Sequence, residues 1–402
     1  MKVVQIVVFP LDDPKFGGQI RCWEINKRLR SLGHQVETLT VSSWEGGSSR
    51  LGPTLHLNSE FRDNYLGDFS HIFPALAMES YFTSIGAEAL DRQLEKLRPD
   101  IVWFEHAYLF SAVQKSFERR PRSKKPHFVY SAHNVEHILA KQIGMRASKF
   151  KPSQLVELVE LTREQEVQAA AGSDLVVTVT KADEEVIRTW TSSEIVVCPN
   201  GANSVRPTHA GTKSVEAALD GLRFALYVAS GHDPNYWGFV TLLHRDLSAL
   251  PLDFRIVVAG SVSHRLVDLV RKSIFPSFAN RLILLSNVSD NHLAALKEKA
   301  TAIILPVLDG GGSNLKTAEA LLSGKPVVGT SKSFVGFEAY KGESGVFIDD
   351  SSDGFLSKLL DLAQSESVRV NQVREMDKAP ISWEKCLEPL KAPVNALGDG
   401  ND

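Results

Sequence analysis

Cysteine is scarce in this chain of 402 residues. The three cysteines, Cys22, Cys198 and Cys386, lie far apart and form no CxxC or cysteine–histidine cluster. A disulfide framework needs paired cysteines and a structural zinc site needs clustered ligands, so the sequence predicts neither. We therefore expect a reducing compartment.

The chain also lacks an excess of one charge and long apolar runs. The 45 Lys and Arg against 48 Asp and Glu leave a formal net charge of -3, which gives no global electrostatic reason to expect a nucleic acid partner. No apolar run is long enough to cross a bilayer, and the opening run Val3–Phe9 is too short for a secretory signal. The sequence thus predicts a cytoplasmic location. The basic stretch 119–125 (RRPRSKK) is either a solvated loop or a surface that attracts anionic lipid, so peripheral contact with the inner membrane face is a further expectation.

What the chain does contain is a repeated alternation of short apolar runs and helical patterns. Val3–Phe9 reads as a buried strand, Ile20–Leu32 as a helix ended by Gly33, and His34–Val41 as the next strand, which together make a βαβ unit. The alternation stops in a polar stretch and restarts at Arg223, so the fold class is α/β with two Rossmann-like domains. We predict domains at 1–205 and 218–380, a linker at 206–217, and a C-terminal helix at 381–402 that packs back on the first domain.

The most informative segment is Leu305–Thr330 (LPVLDGGGSNLKTAEALLSGKPVVGT). A strand ends in a triple glycine, and a helix begins near Asn314. Free amide groups and the helix dipole make such a helix start a site for anions, and glycine lets phosphate oxygens approach the main chain. Lys316 adds a positive charge in the first turn, and Glu319, one turn later, could accept hydrogen bonds from two ribose hydroxyls. The residues predicted to bind the donor in this segment are Gly311, Gly312, Ser313, Asn314, Leu315, Lys316 and Glu319.

This segment resembles the donor site of glycosyltransferases of the GT-B fold, in particular the large bacterial retaining group that uses nucleotide-sugar donors. KTAEALLSGKPVV is similar to that group's signature helix and following strand, and further similar pieces occur in the expected order. They are GGQIR, with Gly17 and Gly18 facing the donor, SAHNVEH at 131–137, VVCPNGAN at 196–203, and GHDPNYWG at 231–238, with Asn235 as a donor contact. The resemblance implies a cleft between the two domains, the first binding the acceptor and the second the nucleotide sugar.

One position departs from the group's pattern. The retaining group usually has a first glutamate eight residues before the residue that matches Glu319, and here that position is Gly311. The loop 231–237 also lacks the usual basic phosphate partner. Lys316 is the predicted substitute, with Arg265 and Arg21 as further candidates.

Polar residues that follow two strands of the first domain are the candidate catalytic residues. His133 follows the strand at 128–132, and the resemblance implies that it contacts the donor sugar or the leaving phosphate. Glu105 and His106 follow the strand at 100–104, and either could take the acceptor proton if the reaction inverts configuration. A structural role for each of these polar loop residues is the alternative interpretation.

The resemblance implies a glycosyltransferase that moves a sugar from a nucleotide-diphosphate donor to a glycan, glycolipid or other acceptor, with retention. The sequence contains no clear metal-binding motif, so we expect no cofactor and no metal, with fixed amide groups and Lys316 stabilising the leaving diphosphate. The partners are then the nucleotide sugar and a glycan or lipid-linked acceptor. Two alternatives remain: a nucleotide-sugar epimerase of the same fold, and a non-catalytic subunit that binds nucleotide sugar or a partner transferase, which the missing carboxylate at Gly311 keeps open.

Overall fold

The computed structural model describes residues 1–42, 49–70, 72–119, 125–146, 150–365 and 379–399. The chain forms two compact units. Unit 1 comprises Met1–Pro199 and Cys386–Asp402, and unit 2 comprises Asn200–Lys385. Each unit has its own parallel sheet and its own hydrophobic core.

Unit 1 is built on a seven-stranded sheet in which every neighbouring pair is parallel. The strands are β1 (Lys2–Val7), β2 (Gln35–Ser42), β3 (Thr54–His56), β4 (Ile101–Glu105), β5 (His127–Ser131), β6 (Leu175–Thr178) and β7 (Glu194–Val197), in the order β3-β2-β1-β4-β5-β6-β7. Most of these strands are nearly continuous apolar runs, as expected for a parallel sheet that is covered on both faces. The helices are α1 (Gly17–Ser31), α2 (Ser59–Tyr65), α3 (Pro74–Thr83), α4 (Ala87–Leu97), α5 (Phe110–Arg119), α6 (Glu136–Arg146), α7 (Pro152–Gly172) and α8 (Lys181–Ile187).

The two faces of this sheet differ in polarity. One face carries Val4, Ile6 and Phe104 into the main apolar core. The opposite face carries Gln5 and Glu105, both almost fully buried, and Gln5 donates a hydrogen bond to a carbonyl of α1. Buried polar groups therefore lie among the apolar side chains between the sheet and α1; we call them the polar layer, and they bear directly on the candidate site.

Unit 2 has a six-stranded parallel sheet in the order β10-β9-β8-β11-β12-β13, the strand order of a Rossmann fold. The strands are β8 (Arg223–Val228), β9 (Phe254–Ala259), β10 (Leu282–Leu285), β11 (Ala302–Leu305), β12 (Val327–Gly329) and β13 (Val346–Ile348). The helices are α9 (His209–Leu219), α10 (Asp233–Leu243), α11 (Val262–Lys272), α12 (Pro276–Arg281), α13 (Asp290–Lys299), α14 (Leu315–Ser323), α15 (Ser352–Gln364) and α16 (Trp383–Cys386), after which α17 (Lys391–Asp399) belongs to unit 1.

The predicted fold class is confirmed: the chain has two Rossmann-like α/β units. The prediction of a linker at 206–217 is corrected, because most of that segment is part of α9, whose Val215 and Leu219 are buried. Thr208 caps this helix by accepting a hydrogen bond from the amide of Gly211, and Asp220 ends it in the left-handed conformation. The polar composition of the segment favoured the prediction of a linker, although the segment forms a capped helix. The C-terminal segment expected at 381–402 is divided, since residues 381–385 belong to unit 2 and the rest to unit 1.

Several short elements of unit 1 were not predicted: β3, α2, α3, α5 and α6. They are short, three to eleven residues, so local periodicity carries little signal for them. No helix within the described ranges combines the length and apolarity that a membrane span requires. Residues 120–124 of the predicted basic stretch lie outside the described residues.

Candidate functional site

The loops that follow β8 and β11 lie at the point where the strand order of unit 2 reverses. β8 pairs with β9 on one side and with β11 on the other. In open α/β sheets, ligands bind beyond the carboxyl ends of strands at this point. Helix α10, which follows the β8 loop, approaches the β11 loop closely: a Cβ atom added to Gly238 would lie 2.0 Å from the carbonyl oxygen of Pro306. Glycine at 238 is what permits this approach.

The loop after β11 has a shape that requires glycine. Gly310 and Gly312 have φ values of 139° and 61°, which other residues rarely adopt. Asn314 then caps α14, since its Oδ1 accepts a hydrogen bond 3.1 Å long from the amide of Lys316. Leu315 is the first residue of α14, and Gly311 is exposed. The arrangement presents a capped helix N-terminus after an open glycine loop, as the sequence predicts.

Ser313 has a structural partner in this loop. Its Oγ accepts a hydrogen bond of 3.1 Å from the amide of Asn200, and its carbonyl accepts one of 2.8 Å from the Asn200 side chain. Both residues are largely buried. These bonds hold the glycine loop in place, so Ser313 contributes its position rather than a free hydroxyl.

Lys316 and Asn235 join the two loops. Lys316 Nζ donates a 2.7 Å hydrogen bond to Asn235 Oδ1, and the Asn235 amide nitrogen donates in turn to the carbonyl and hydroxyl oxygens of Ser230. Burial lowers the pKa of Lys316 to about 8, against a smaller opposing effect of the Glu319 charge. The structure therefore brings together two predicted donor contacts and places a half-buried cation at the switch point.

Glu319 pairs with a residue that the sequence did not single out. Its Oε2 accepts a hydrogen bond of 2.6 Å from Lys297 Nζ at the end of α13. Both side chains are partly exposed, so the carboxylate is oriented but open to a ligand. No sequence motif links positions 297 and 319, which meet only because α13 and α14 flank β11.

The two further cationic candidates, Arg265 and Arg21, are bonded to other groups of the protein. Arg265 pairs with Asp233 at 2.6 Å, donates to the Gly231 carbonyl and lies 4.4 Å from the centre of the Tyr236 ring. Arg21 is 1% exposed and donates to the carbonyl of Cys198 in unit 1. Lys316 is therefore the cation best placed for a diphosphate in unit 2.

In unit 1 the corresponding reversal lies between β1 and β4, and His133 and Glu105 meet near it. His133 Nε2 lies 2.7 Å from Glu105 Oε2, and both side chains are buried. Burial lowers the pKa of His133 to about 4, helped by nearby His106 and opposed by Glu105. Burial raises the pKa of Glu105, but hydrogen bonds from His133 and Gln5 and the nearby positive charge outweigh it and lower that pKa. At neutral pH the pair is a neutral imidazole beside a carboxylate.

His106 occupies a strained position beside this pair. Its φ of 74° lies in the left-handed region, which is unusual for a residue other than glycine. Its ring stacks on Tyr108 with centres 4.7 Å apart, lies 4.1 Å from the His133 ring, and its Nδ1 is 3.2 Å from Glu136 Oε1. The His106–Glu136 and His133–Glu105 pairs thus lie next to each other at the carboxyl end of the sheet.

Folding also brings Cys22 to His133, which the wide sequence spacing of the cysteines did not indicate. The Cys22, Glu105 and His133 ligand atoms lie within 4.8 Å of one another. His133 Nε2 is 2.7 Å from Glu105 Oε2, a hydrogen-bond distance and shorter than the roughly 3.3 Å between two tetrahedral zinc ligands. Burial also raises the pKa of Cys22 well above its usual value, which opposes the thiolate that a metal needs. The cluster is organised as hydrogen-bonded side chains.

Gly17 and Gly18 form the first turn of α1 in unit 1. A Cβ atom on Gly18 would lie 3.4 Å from the Phe9 ring, and Gly17 is exposed. The Gln19 side chain accepts hydrogen bonds from the amides of Lys15 and Phe16 just before this helix. The sequence missed Gln5, Lys297 and Glu136 as neighbours of the predicted residues. Gln5 did carry a signal, since it is the one polar residue in the apolar run VVQIVV.

Comparisons with known proteins agree with these two units. A family model described as Glycosyltransferase Family 4 matches residues 17–206, and one described as Glycosyl transferases group 1 matches residues 224–365. A search of curated proteins gives no match.

Solved structures resemble the chain over its length. Sucrose-phosphate synthase from Thermosynechococcus elongatus is 14% identical, with a TM-score of 0.71 and full coverage of both chains. A trehalose-6-phosphate structure from E. coli bound with UDP-2-fluoro glucose is 13% identical, with a TM-score of 0.66 and coverage of 100% of this chain and 98% of that one. WaaG, a glycosyltransferase involved in lipopolysaccharide biosynthesis, is 14% identical, with a TM-score of 0.63 and coverage of 98% and 99%. At these identities the likeness shows the fold, while the family models show the class, and the chain is a glycosyltransferase of the GT-B fold.

Proposed function

We propose that the chain transfers a sugar from a nucleoside-diphosphate donor to a glycan, glycolipid or other acceptor, with retention and without metal. The observation that carries the proposal is the Lys316–Asn235 bond between the β8 and β11 loops, at the N-terminus of α14. This combination offers a diphosphate the two things it needs: aligned amide donors and a cation. The E. coli structure of the same fold is bound with a UDP-sugar, which supports a nucleotide donor.

The proposed chemistry places the leaving group in unit 2. The bond between the sugar anomeric carbon and the diphosphate oxygen breaks, the bond to the acceptor oxygen forms, and the acceptor proton passes to the departing diphosphate. The amides at the start of α14 and Lys316 stabilise the charge that develops on the diphosphate, which is the task that a divalent metal would otherwise perform. We propose His133 of unit 1 as the contact to the transferred sugar.

Glu105 fits a supporting role better than that of an acceptor base. It is 2% exposed, and both of its carboxylate oxygens are engaged, one by Gln5 and one by His133. His106 has its Nδ1 beside Glu136 and its ring packed between Tyr108 and His133. A retaining transfer needs neither residue to take the acceptor proton.

A thermal-shift titration with UDP, GDP, ADP, CMP and dTDP, each in EDTA and in magnesium, tests this function. A ligand that binds only the native state raises the melting temperature. We expect one diphosphate to stabilise the protein equally with and without magnesium. Stabilisation that requires magnesium would remove the metal-independent mechanism, and no shift with any nucleotide would favour the non-catalytic alternative. Conversion of a donor without an acceptor would identify an epimerase.

Replacing Glu319 with alanine should abolish recognition of the ribose. We expect the wild-type protein to bind the preferred nucleoside diphosphate more tightly than its 2′-deoxy form, because Glu319 accepts from the 2′-hydroxyl. In Glu319→Ala the two ligands should bind equally, which isothermal titration calorimetry measures. Lys297→Ala is the companion variant: it removes the partner at 2.6 Å but keeps the carboxylate, so part of the preference should remain. An undiminished preference in Glu319→Ala would place the ribose elsewhere.

A further inference from the structure

A continuous chain of hydrogen bonds runs through the polar layer of unit 1 and ends at His133. Arg30 Nε donates to Asn26 Oδ1 at 2.8 Å, and Asn26 Nδ2 donates to Gln5 Oε1 at 2.9 Å. Gln5 Nε2 donates to Glu105 Oε1 at 2.6 Å, and Glu105 Oε2 lies 2.7 Å from His133 Nε2. The three inner residues are 0% to 2% exposed. Buried polar groups hold a defined geometry when they are fully paired in this way.

The direction of every bond in this chain is determined by its ends. Arginine can only donate, so Asn26 must turn its oxygen to Arg30 and its nitrogen to Gln5. Gln5 Nε2 also donates to the carbonyl of Cys22 at 2.9 Å, and a carbonyl can only accept. Gln5 therefore has its oxygen toward Asn26 and its nitrogen toward Glu105. An ionised Glu105, accepting from Gln5, must then accept from His133 as well.

We propose that Gln5 and Asn26, anchored by Arg30, are positioning residues that hold His133 as the neutral Nε2–H tautomer and so present Nδ1 as a hydrogen-bond acceptor. The hydrogen bonds that the structure describes for His133 involve its Nε2, and none of them involves Nδ1. In a neutral imidazole with its proton on Nε2, Nδ1 carries a lone pair. Such an atom recognises a sugar hydroxyl and repels a carboxylate. The sugar part of this proposal rests on the proposed function; the tautomer does not.

The charged and titratable groups around His133 agree with a neutral ring. Glu105 of β4 and Cys22 and Arg21 of α1 lie near the ring, and the His106 ring centre is 4.1 Å from that of His133, with the two planes tilted by 40°. The pKa of His133 falls to about 4 mainly through burial, with His106 and Arg21 also lowering it and Glu105 raising it. Removing the Gln5 donor makes the surroundings of Glu105 more negative, which favours the imidazolium. The pKa of His133 should therefore rise when the chain is cut at Gln5.

Histidine NMR of the full-length protein tests the tautomer and the pKa without any substrate. With 12 histidines in the chain, the His133→Gln spectrum assigns the signals of His133 by their absence. We expect the wild-type nitrogen shifts to show a protonated Nε2 and an unprotonated Nδ1 at pH 7. An Nδ1–H tautomer or an imidazolium at that pH would overturn the proposal, whatever the variants do.

Gln5→Met keeps the side-chain length and removes the donor. The free energy of a hydrogen bond to a charged group is equivalent to about one pKa unit or more. Loss of the bond from Gln5 to Glu105 should therefore raise the His133 pKa by about one unit. Asn26→Leu should shift it in the same direction. Because the two residues act in series, the double variant should show no larger shift than Gln5→Met alone.

Thr38→Val is the matched control. Thr38 is paired in register with Gln5, is 0% exposed and has a hydroxyl without a partner in the described structure, so it perturbs the same layer without cutting the chain. Its His133 pKa should equal that of the wild type. An unchanged pKa in folded Gln5→Met would overturn the positioning role while leaving diphosphate binding at Lys316 untouched.

Selectivity between sugar donors tests whether the lone pair of His133 Nδ1 accepts a hydrogen bond from the sugar. For the nucleotide that the thermal-shift titration identifies, a neutral hexose donor should bind more tightly than the corresponding hexuronic acid donor. Tighter binding of the uronic acid would overturn the acceptor role of Nδ1. A confirmed tautomer together with failure of all nucleotides to bind would instead uphold the hydrogen-bond chain and remove the proposed function.

Discussion

Replacing Lys316 with methionine is expected to weaken binding of the preferred nucleoside diphosphate by roughly 30-fold. A hydrogen bond to a charged group contributes about 2 kcal/mol, and loss of that amount corresponds to this change in Kd. The fold should survive, because methionine fills a similar volume and Lys316 makes one side-chain bond, to Asn235. Isothermal titration calorimetry of the variant against the wild type gives the ratio. The exposed Lys272 at the end of α11 provides the control, since Lys272→Met removes the same charge away from the loop.

The pH dependence of the same affinity gives a second, independent measure of Lys316. Its pKa of about 8 means that the free protein loses this charge as the pH rises above 8. The bound diphosphate favours the charged lysine, so the pKa is higher in the complex and binding takes up a proton. We expect wild-type affinity to be nearly constant below pH 7 to 8 and to fall by up to tenfold for each further pH unit. Lys316→Met should bind weakly without this decline, and a parallel decline in the variant would assign the titration to another group.

The donor side of this molecule was largely predictable because its elements are contiguous in sequence. Strand, glycines, capped helix and Lys316 occupy one stretch, and Gly310 and Gly312 do adopt the conformations for which glycine is needed. The partners that complete it were not predictable in the same way. Lys297 reaches Glu319 only through the packing of α13 on the sheet, and no local pattern encodes that contact.

The site in unit 1 shows the limit of reading residues one at a time. His133 and Glu105 could each be singled out because they follow strands, but their different roles could not be assigned from position alone. Their 2.7 Å contact and the burial of Glu105 are the basis for proposing that the imidazole contacts the sugar and that the carboxylate supports it. Gln5 stood out as a polar residue within an apolar strand, and its function emerged only when Asn26 and Cys22 were seen beside it.

Helix α9 failed to appear in the sequence interpretation for a different physical reason. Its segment is largely polar and contains Gly211, which resembles a linker, but Thr208 caps the helix and the buried side chains of Val215 and Leu219 anchor it. Propensity and composition are weak priors that tertiary packing overrides. Helix α3, which was also missed, carries Glu79, a buried carboxyl whose pKa rises to about 7.

Glu79→Gln in α3 is expected to stabilise unit 1 by about 3 kcal/mol at pH 8 and by less than about 1 kcal/mol at pH 5. Glu79 is 9% exposed, and within the described residues neither carboxylate oxygen has a hydrogen-bond partner. Burial raises its pKa from 4.5 to about 7, and the Lys115 charge is the largest opposing effect. Since the folded form holds the proton more tightly, this carboxyl costs nothing below pH 4.5, and its destabilising effect grows until the pH passes 7. Thermal and urea unfolding of both proteins at pH 5 and pH 8 measure the difference, with Glu157→Gln on the exposed side of α7 as control. Equal gains at the two pH values would show that Glu79 keeps an ordinary pKa and is solvated or paired in solution.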